Sequence, residues 1–269
     1  MNCKVMGIIN VTPDSFSDGG KFYHPNEAIR RAINLVEEGA EILDFGGEST
    51  RPGATPLTWK EEWERIEPVA RQLDKTEFMS TVRVSIDTYH PETAERAIGF
   101  GARLINCVKY SAVPDMMKLL DKYPHVELAL PVRSEHDLEP YRVYGARLYL
   151  DPAIGFGTTR EEDLWLLRNI PSFARLGRVM VGASRKRIVK KLTGTKAPGK
   201  DLAGNLAIAL WAAMNGAQVV RVHDVKETVQ ALHVLGVLSR TDHAFESEAS
   251  ETSDEANFDK HHFSKSYVE

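Results

Sequence analysis

"GAQVVRVHD" fills Gly216–Asp224. A Gly-Ala pair opens it, an almost unbroken apolar run follows, and polar residues close it. Three other stretches repeat the pattern: "GAEILD" (Gly39–Asp44), "GARLIN" (Gly101–Asn106) and "GARLYLD" (Gly145–Asp151). Glycine suits the left-handed position just past a helix, so each unit reads as a helix end followed by a strand. A continuous apolar run is the mark of a strand covered on both faces, as in parallel sheets. Four more runs lack the Gly-Ala opening but share the character: "VMGIIN" (Val5–Asn10), "VRVSID" (Val82–Asp87), "VELALPV" (Val126–Val132) and "RVMVGAS" (Arg178–Ser184).

Helical patterns separate the strands. Asn26–Glu38 sets Ile29, Ala32, Ile33 and Val36 on one stripe. Thr58–Gln72 opens with Thr58 and Glu61 in capping-box spacing. Pro91–Phe100 and Ala203–Asn215 behave similarly. Eight such units over residues 1–240 predict an α/β fold of the (β/α)8 TIM-barrel type, with an open doubly wound sheet as the alternative. The link from Val132 to Ala146 is close to the shortest parallel crossover, which predicts a shortened fifth βα unit.

Residues 241–269 hold eight acids against two lysines and few aliphatic residues. Such a tail cannot bury enough surface to offset its ordering entropy, so it is expected to be disordered. The remainder is close to neutral and has no basic stripe, which argues against nucleic acid as a partner. No apolar run is long enough to span a membrane, and no signal peptide is evident at the start. Cys3 and Cys107 are far apart, without a CxxC or HxxxH neighbour. A reducing, cytoplasmic setting is the expectation.

Barrel enzymes carry their chemistry at the C-terminal strand ends. Read in order, those ends give Asn10, Asp44, Asp87, Asn106, Asp151, Lys186 just past strand seven, and Arg221 with His223. The fifth strand offers none. Arg221 and His223 lie two apart on a strand and so face the same side, and phosphate commonly binds near strands seven and eight. An oxygen-rich loop follows strand one and suits a phosphate accompanied by Mg2+, which prefers hard oxygen ligands. Asp87, Asn106 and Asp151 offer the acceptors and donors that a planar amino-heterocycle needs. A second polar loop, Gly46–Leu57, contains Arg51.

The motifs "MGIINVTPDSFSDGG", "DFGGESTRPGA", "SIDT", "LDPAIGFG", "VGASRK" and "RVHDV", collinear over about residues 4–240, resemble those of the dihydropteroate synthase family, the pterin-binding barrels that sulfonamides inhibit. The resemblance implies a transferase of folate biosynthesis. It would join 4-aminobenzoate to a dihydropterin methyl diphosphate and release pyrophosphate, as a cytoplasmic homodimer using Mg2+. By motif position, Asn10 would meet the diphosphate and Mg2+, and Arg221 and His223 would complete the anion pocket. Asp87, Asn106, Asp151 and Lys186 would hold the pterin. Asp44, Thr50 and Arg51 would serve the reacting end and second loop, with Phe16 and Ser184 on the aminobenzoate side; Asn10, Asp44, Lys186 and Arg221 would be catalytic. A non-catalytic or weakly active pterin-binding paralogue is the alternative. The chain departs from the family pattern at Cys107, at the end of strand five, at Ala153 and Thr158, and at Arg187, where the family has a serine.

Overall fold

The computed structural model describes residues 3–12, 25–49, 54–73, 81–195 and 200–239. Among these, eight parallel strands close into a barrel in chain order: β1 (Lys4–Asn10), β2 (Ile42–Gly46), β3 (Arg83–Asp87), β4 (Leu104–Asn106), β5 (Glu127–Pro131), β6 (Leu148–Asp151), β7 (Arg178–Val181) and β8 (Ala217–Val222). Strand β8 returns to β1, pairing Met6 with Arg221. The expected barrel is the observed one, and the open sheet is excluded.

The helices are α1 (Pro25–Glu37), α2 (Trp59–Leu73), α3 (Pro91–Gly99), α4 (Val113–Lys122), α5 (Glu135–Leu138), α6 (Arg160–Arg168), α7 (Ile170–Leu176), α8 (Arg187–Thr193), α9 (Leu202–Met214) and α10 (Val225–Leu238). The Gly-Ala signal has its expected cause. Gly39, Gly101, Gly145 and Gly216 have φ of +98°, +97°, +51° and +93°, a region other residues enter only at a cost. The Thr58–Glu61 box forms in both directions: the Thr58 N–H donates to Glu61 Oε2 (2.7 Å) and the Glu61 N–H to Thr58 Oγ1 (3.3 Å). The fifth unit is indeed short. Helix α5 has four residues and runs into a 3-10 segment over Glu139–Arg147.

Side chains alternate across each strand, which splits the core in two. Outward residues such as Val5, Ile9, Leu43 and Phe45 pack under the helices. Inward residues Met6, Ile42, Leu104, Ala129, Tyr149, Met180 and Val219 fill the barrel. Below this layer Glu127 takes an ion pair from Arg83 and another from Arg178 (2.7 Å), and the Arg178 guanidinium lies 3.8 Å from the Tyr149 ring centre. The floor is thereby closed. One step further along the strands in the other direction lie Asp44, Ser85, Asn106, Asp151 and Arg221. No helix among the described residues is long and apolar enough to cross a membrane.

Candidate active site

The parallel registers bring the strand ends to one mouth: Asn10 stands beside Gly46, Gly46 beside Asp87, and Asp87 beside Asn106. Arg221 rises from β8 into the centre. Its Nε donates to Asp44 Oδ2 and its Nη2 to Asp87 Oδ2, both at 2.6 Å. Asp44 also accepts from Ser85 Oγ (2.5 Å) and Asn106 Nδ2 (3.1 Å). The Asp44 side chain has no exposed surface, and Arg221 keeps 15 %.

Three donors occupy Asp44, which thereby ties Arg221, Ser85 and Asn106 together, and two carboxylates, Asp44 and Asp87, hold Arg221. The alternation that made Arg221 and His223 neighbours also makes Ser85 and Asp87 neighbours, so Ser85 was legible as a support for the site although strand-end reading passed over it.

Burial pushes the Asp87 carboxyl up to about 7, with the Arg221 charge opposing the rise. Burial likewise raises Asp151, whose Oδ1 accepts from the Ala153 N–H at 2.8 Å. Lys186 is pushed down by burial to about 8, against the pull of Asp151. Its Nζ donates to the Ile154 carbonyl (2.6 Å) and sits 4.3 Å from the Phe156 ring centre. The Arg221 guanidinium, despite burial, is held further into its charged form by Asp44 and Asp87. Asn106 Oδ1 is buried with no hydrogen-bond partner among the described residues. An acceptor left this way inside a protein calls for a donor from beyond the described residues.

Ser184 Oγ lies 3.0 Å from His223 Nδ1, and the His223 carbonyl accepts from Arg31 Nη2 at 3.1 Å. Asn10 is half-buried at the end of β1. Phe16, Thr50 and Arg51 lie outside the described residues. Among the described residues, no group of three or more His, Cys, Asp or Glu side chains is placed to hold a metal ion.

The departures from the family pattern have structural counterparts. Ala153 has φ +54°, where a glycine would carry no penalty. Thr158 Oγ1 donates to buried Asp163 and accepts from the Gly155 N–H, while Arg160 supplies Asp163 with its cation. Cys107 is buried, and burial raises its thiol to about 11. The end of strand five carries a residue that strand-end reading missed. Arg133, two beyond Pro131, donates from Nη2 to the Phe156 carbonyl at 2.6 Å, with its guanidinium 5.3 Å from the Tyr110 ring centre. Its signal was the alternation Ala129, Pro131, Arg133.

A closed (β/α)8 barrel with carboxylates, an amide and two half-buried cations at its C-terminal mouth defines a barrel enzyme with a polar site for a small molecule. The model of the pterin binding enzyme family matches residues 6–130 and 129–223. A dihydropteroate synthase from Staphylococcus haemolyticus is 34 % identical over 263 residues, covering 89 % of this chain and 96 % of that protein. The crystal structure of a dihydropteroate synthase from Clostridium difficile, obtained in the presence of pteroic acid, superposes with a TM-score of 0.80 at 32 % identity, covering 89 % of this chain and 97 % of that one. The Xanthomonas albilineans dihydropteroate synthase in complex with 7,8-dihydropteroate gives 0.76 at 33 %, covering 90 % and 95 %. This chain belongs to the dihydropteroate synthase family of pterin-binding enzymes.

Proposed function

We propose that this protein is a dihydropteroate synthase, joining 4-aminobenzoate to a dihydropterin methyl diphosphate with release of pyrophosphate. The observation that carries the reading is the braced floor of the mouth. Asp44 locks Arg221 and Asn106 in place, so Asp87, Asn106 Oδ1 and Asp151 present fixed acceptors to a planar ligand. An aminopyrimidine edge offers matching N–H donors, and Lys186 supplies a cation to a ring acceptor. Residues set before the ligand arrives need no reorganisation during the reaction, which is where such donors and acceptors gain most.

The bond from the pterin methylene carbon to the diphosphate oxygen breaks, and the electron pair leaves with the diphosphate. The arylamine nitrogen then bonds to the methylene carbon and gives up one proton. No activated nucleophile is required of the protein. His223, which contacts Ser184, and Asn10 would meet the leaving anion. Asn10 offers one amide oxygen, and among the described residues no group of His, Cys, Asp or Glu side chains is placed to hold a metal ion. That donor set suits Mg2+ arriving with the diphosphate and keeping its waters, and the ion would neutralise charge on the leaving group.

A homodimer is supported by large apolar side chains exposed on α6, α9 and α10, namely Trp165, Trp211, Met214, Val234 and Leu238. A reducing, cytoplasmic location is supported by the two unpaired cysteines, Cys3 and Cys107. The test of the function is pyrophosphate release from the pterin diphosphate, with and without 4-aminobenzoate. Release that requires the arylamine and yields dihydropteroate establishes it. Tight pterin binding without release establishes the non-catalytic alternative.

A further inference from the structure

The shortened fifth unit leaves the connection between β5 and β6 without a long helix, yet side-chain contacts span the strand ends there. Tyr110, after β4, lies against the Arg133 guanidinium. Arg133, after β5, donates to the Phe156 carbonyl, and Phe156, after β6, carries Lys186 over its ring. These contacts bridge the strand ends from β4 to Lys186 beyond β7.

The turn in the middle of this chain of contacts carries strain at one residue. Ala153 has φ +54°, which costs a non-glycine residue and persists only when its surroundings over-determine it, whereas Gly155 and Gly157 adopt φ of +81° and +66° freely. Asp163 secures one side through the Gly155 N–H (2.7 Å) and Thr158. Arg133 secures the other. Lys186 packs closely on the same turn: a Cβ added at Gly155 would stand 3.2 Å from its Cδ. Arg133 Nε is buried without a hydrogen-bond partner among the described residues. That unmet donor is a cost which the contact to Phe156 must outweigh.

We propose that Arg133 is a positioning residue for substrate binding: it clamps the Ala153–Thr158 turn through the Phe156 carbonyl and so fixes Lys186 where it meets the pterin. The inference rests on the pterin-binding reading of Lys186. Arg133 acts through the turn, and Tyr110 completes the clamp by restricting the guanidinium plane.

The experiment uses the full chain and a pterin diphosphate, with dissociation constants measured from pH 6.5 to 9.5 for the wild type, Arg133→Met, Arg133→Lys, Lys186→Met and the Arg133→Met/Lys186→Met double variant. If the wild type does not bind the pterin, the functional reading fails and takes this inference with it. If it binds, Arg133→Met is expected to weaken binding about tenfold, near 1.4 kcal/mol. Arg133→Lys, which keeps a donor for Phe156, recovers most of that loss. In the Lys186→Met background, Arg133→Met adds less than about twofold, because both residues act on one contact.

The alkaline limb of binding supplies a readout that general destabilisation would not move. Lys186 is held near 8 by burial, with Asp151, Arg221, Asp87 and Asp163 facing it. Loosening the turn admits water, so in Arg133→Met the limb moves to higher pH. Wild-type affinity in Arg133→Met, an unmoved limb, or fully additive losses in the double variant would overturn the proposal. Should Arg133→Met fail to fold, Tyr110→Leu, altering an exposed ring, must shift the limb in the same direction, and an unmoved limb there overturns it too.

Discussion

Asp87→Asn tests the electrostatics of the site most directly. The Asp87 side chain is 14 % exposed and lies 2.6 Å from Arg221 Nη2. An unfolded aspartate titrates near 3.9, and burial lifts Asp87 to about 7 in the folded protein. Three pH units correspond to about 4 kcal/mol. An acid with a raised folded-state pKa binds its proton more tightly when folded. Its contribution to stability is therefore complete below about pH 4 and is lost as pH rises through about 7. The amide removes that loss but gives up a charge-assisted hydrogen bond worth roughly 1.5–3 kcal/mol. At pH 7.5 the net change is expected to stay within about 2 kcal/mol. The pH dependence is the sharper readout. Between pH 4.5 and 7 the decline in unfolding free energy should become shallower in Asp87→Asn by up to about 1.4 kcal/mol per pH unit. Some decline should remain, because burial also raises Glu62, to about 7, and Asp151. Urea unfolding followed by tryptophan fluorescence at half-unit pH steps measures this. Pterin affinity, measured on the same samples, should fall about tenfold. An identical slope in both proteins would show that Asp87 does not titrate in this window, and the argument for a strained buried carboxylate would be refuted.

Arg221→Met should cost roughly 3–5 kcal/mol in chemical denaturation, because Asp44 and Asp87 are then buried without their cation; adding Asp87→Asn should recover part of the loss. Pterin affinity should decline as pH rises above about 8, where Lys186 loses its proton, and a flat titration to pH 9.5 would contradict its role. Removing residues 241–269, which carry eight acids and two lysines, should leave unfolding free energy within about 0.5 kcal/mol and pterin affinity unchanged. Arg187 is exposed at the first position of α8, so Arg187→Ser should alter 4-aminobenzoate affinity by less than about tenfold and pterin affinity hardly at all; calorimetry of both ligands decides.

The fold was legible because a parallel barrel strand, covered on both faces, needs a continuous apolar run, and because the left-handed residue before it needs glycine. Boundaries were blurred where a turn belongs to neither element. In "GARLIN" the first three residues precede β4, because the Gly101 and Ala102 N–H groups bond back to Ile98 and Ala97. Site membership was legible too, since position at a strand end is a property of sequence order. Pairing was not. Whether Arg221 reaches out to a ligand or across to Asp44 depends on how the stagger of the barrel sets β8 against β2 and β3, two strands far from it in sequence. Arg133 is hidden for a different reason: it lies one residue past the apolar run that ends at Val132, and only the alternation from Ala129 and Pro131 puts it on the inward side.

The charge balance of the floor bears on why the arginine is locked down. With every group ionised, Asp44, Asp87 and Asp151 face Arg221 and Lys186, leaving one net negative charge beneath the ligand. A free arginine at this depth would repel the positive charge that develops on the pterin methylene as the diphosphate departs. Paired with two carboxylates, the same arginine instead fixes their direction while its own charge is cancelled. Under the proposed function, the positive charge that assists the leaving anion would arrive with it, as Mg2+ met by the Asn10 amide oxygen. Under the proposed function the barrel thus separates the two halves of an ionising bond: a negative floor under the ring, and the cationic help at the rim where the diphosphate leaves.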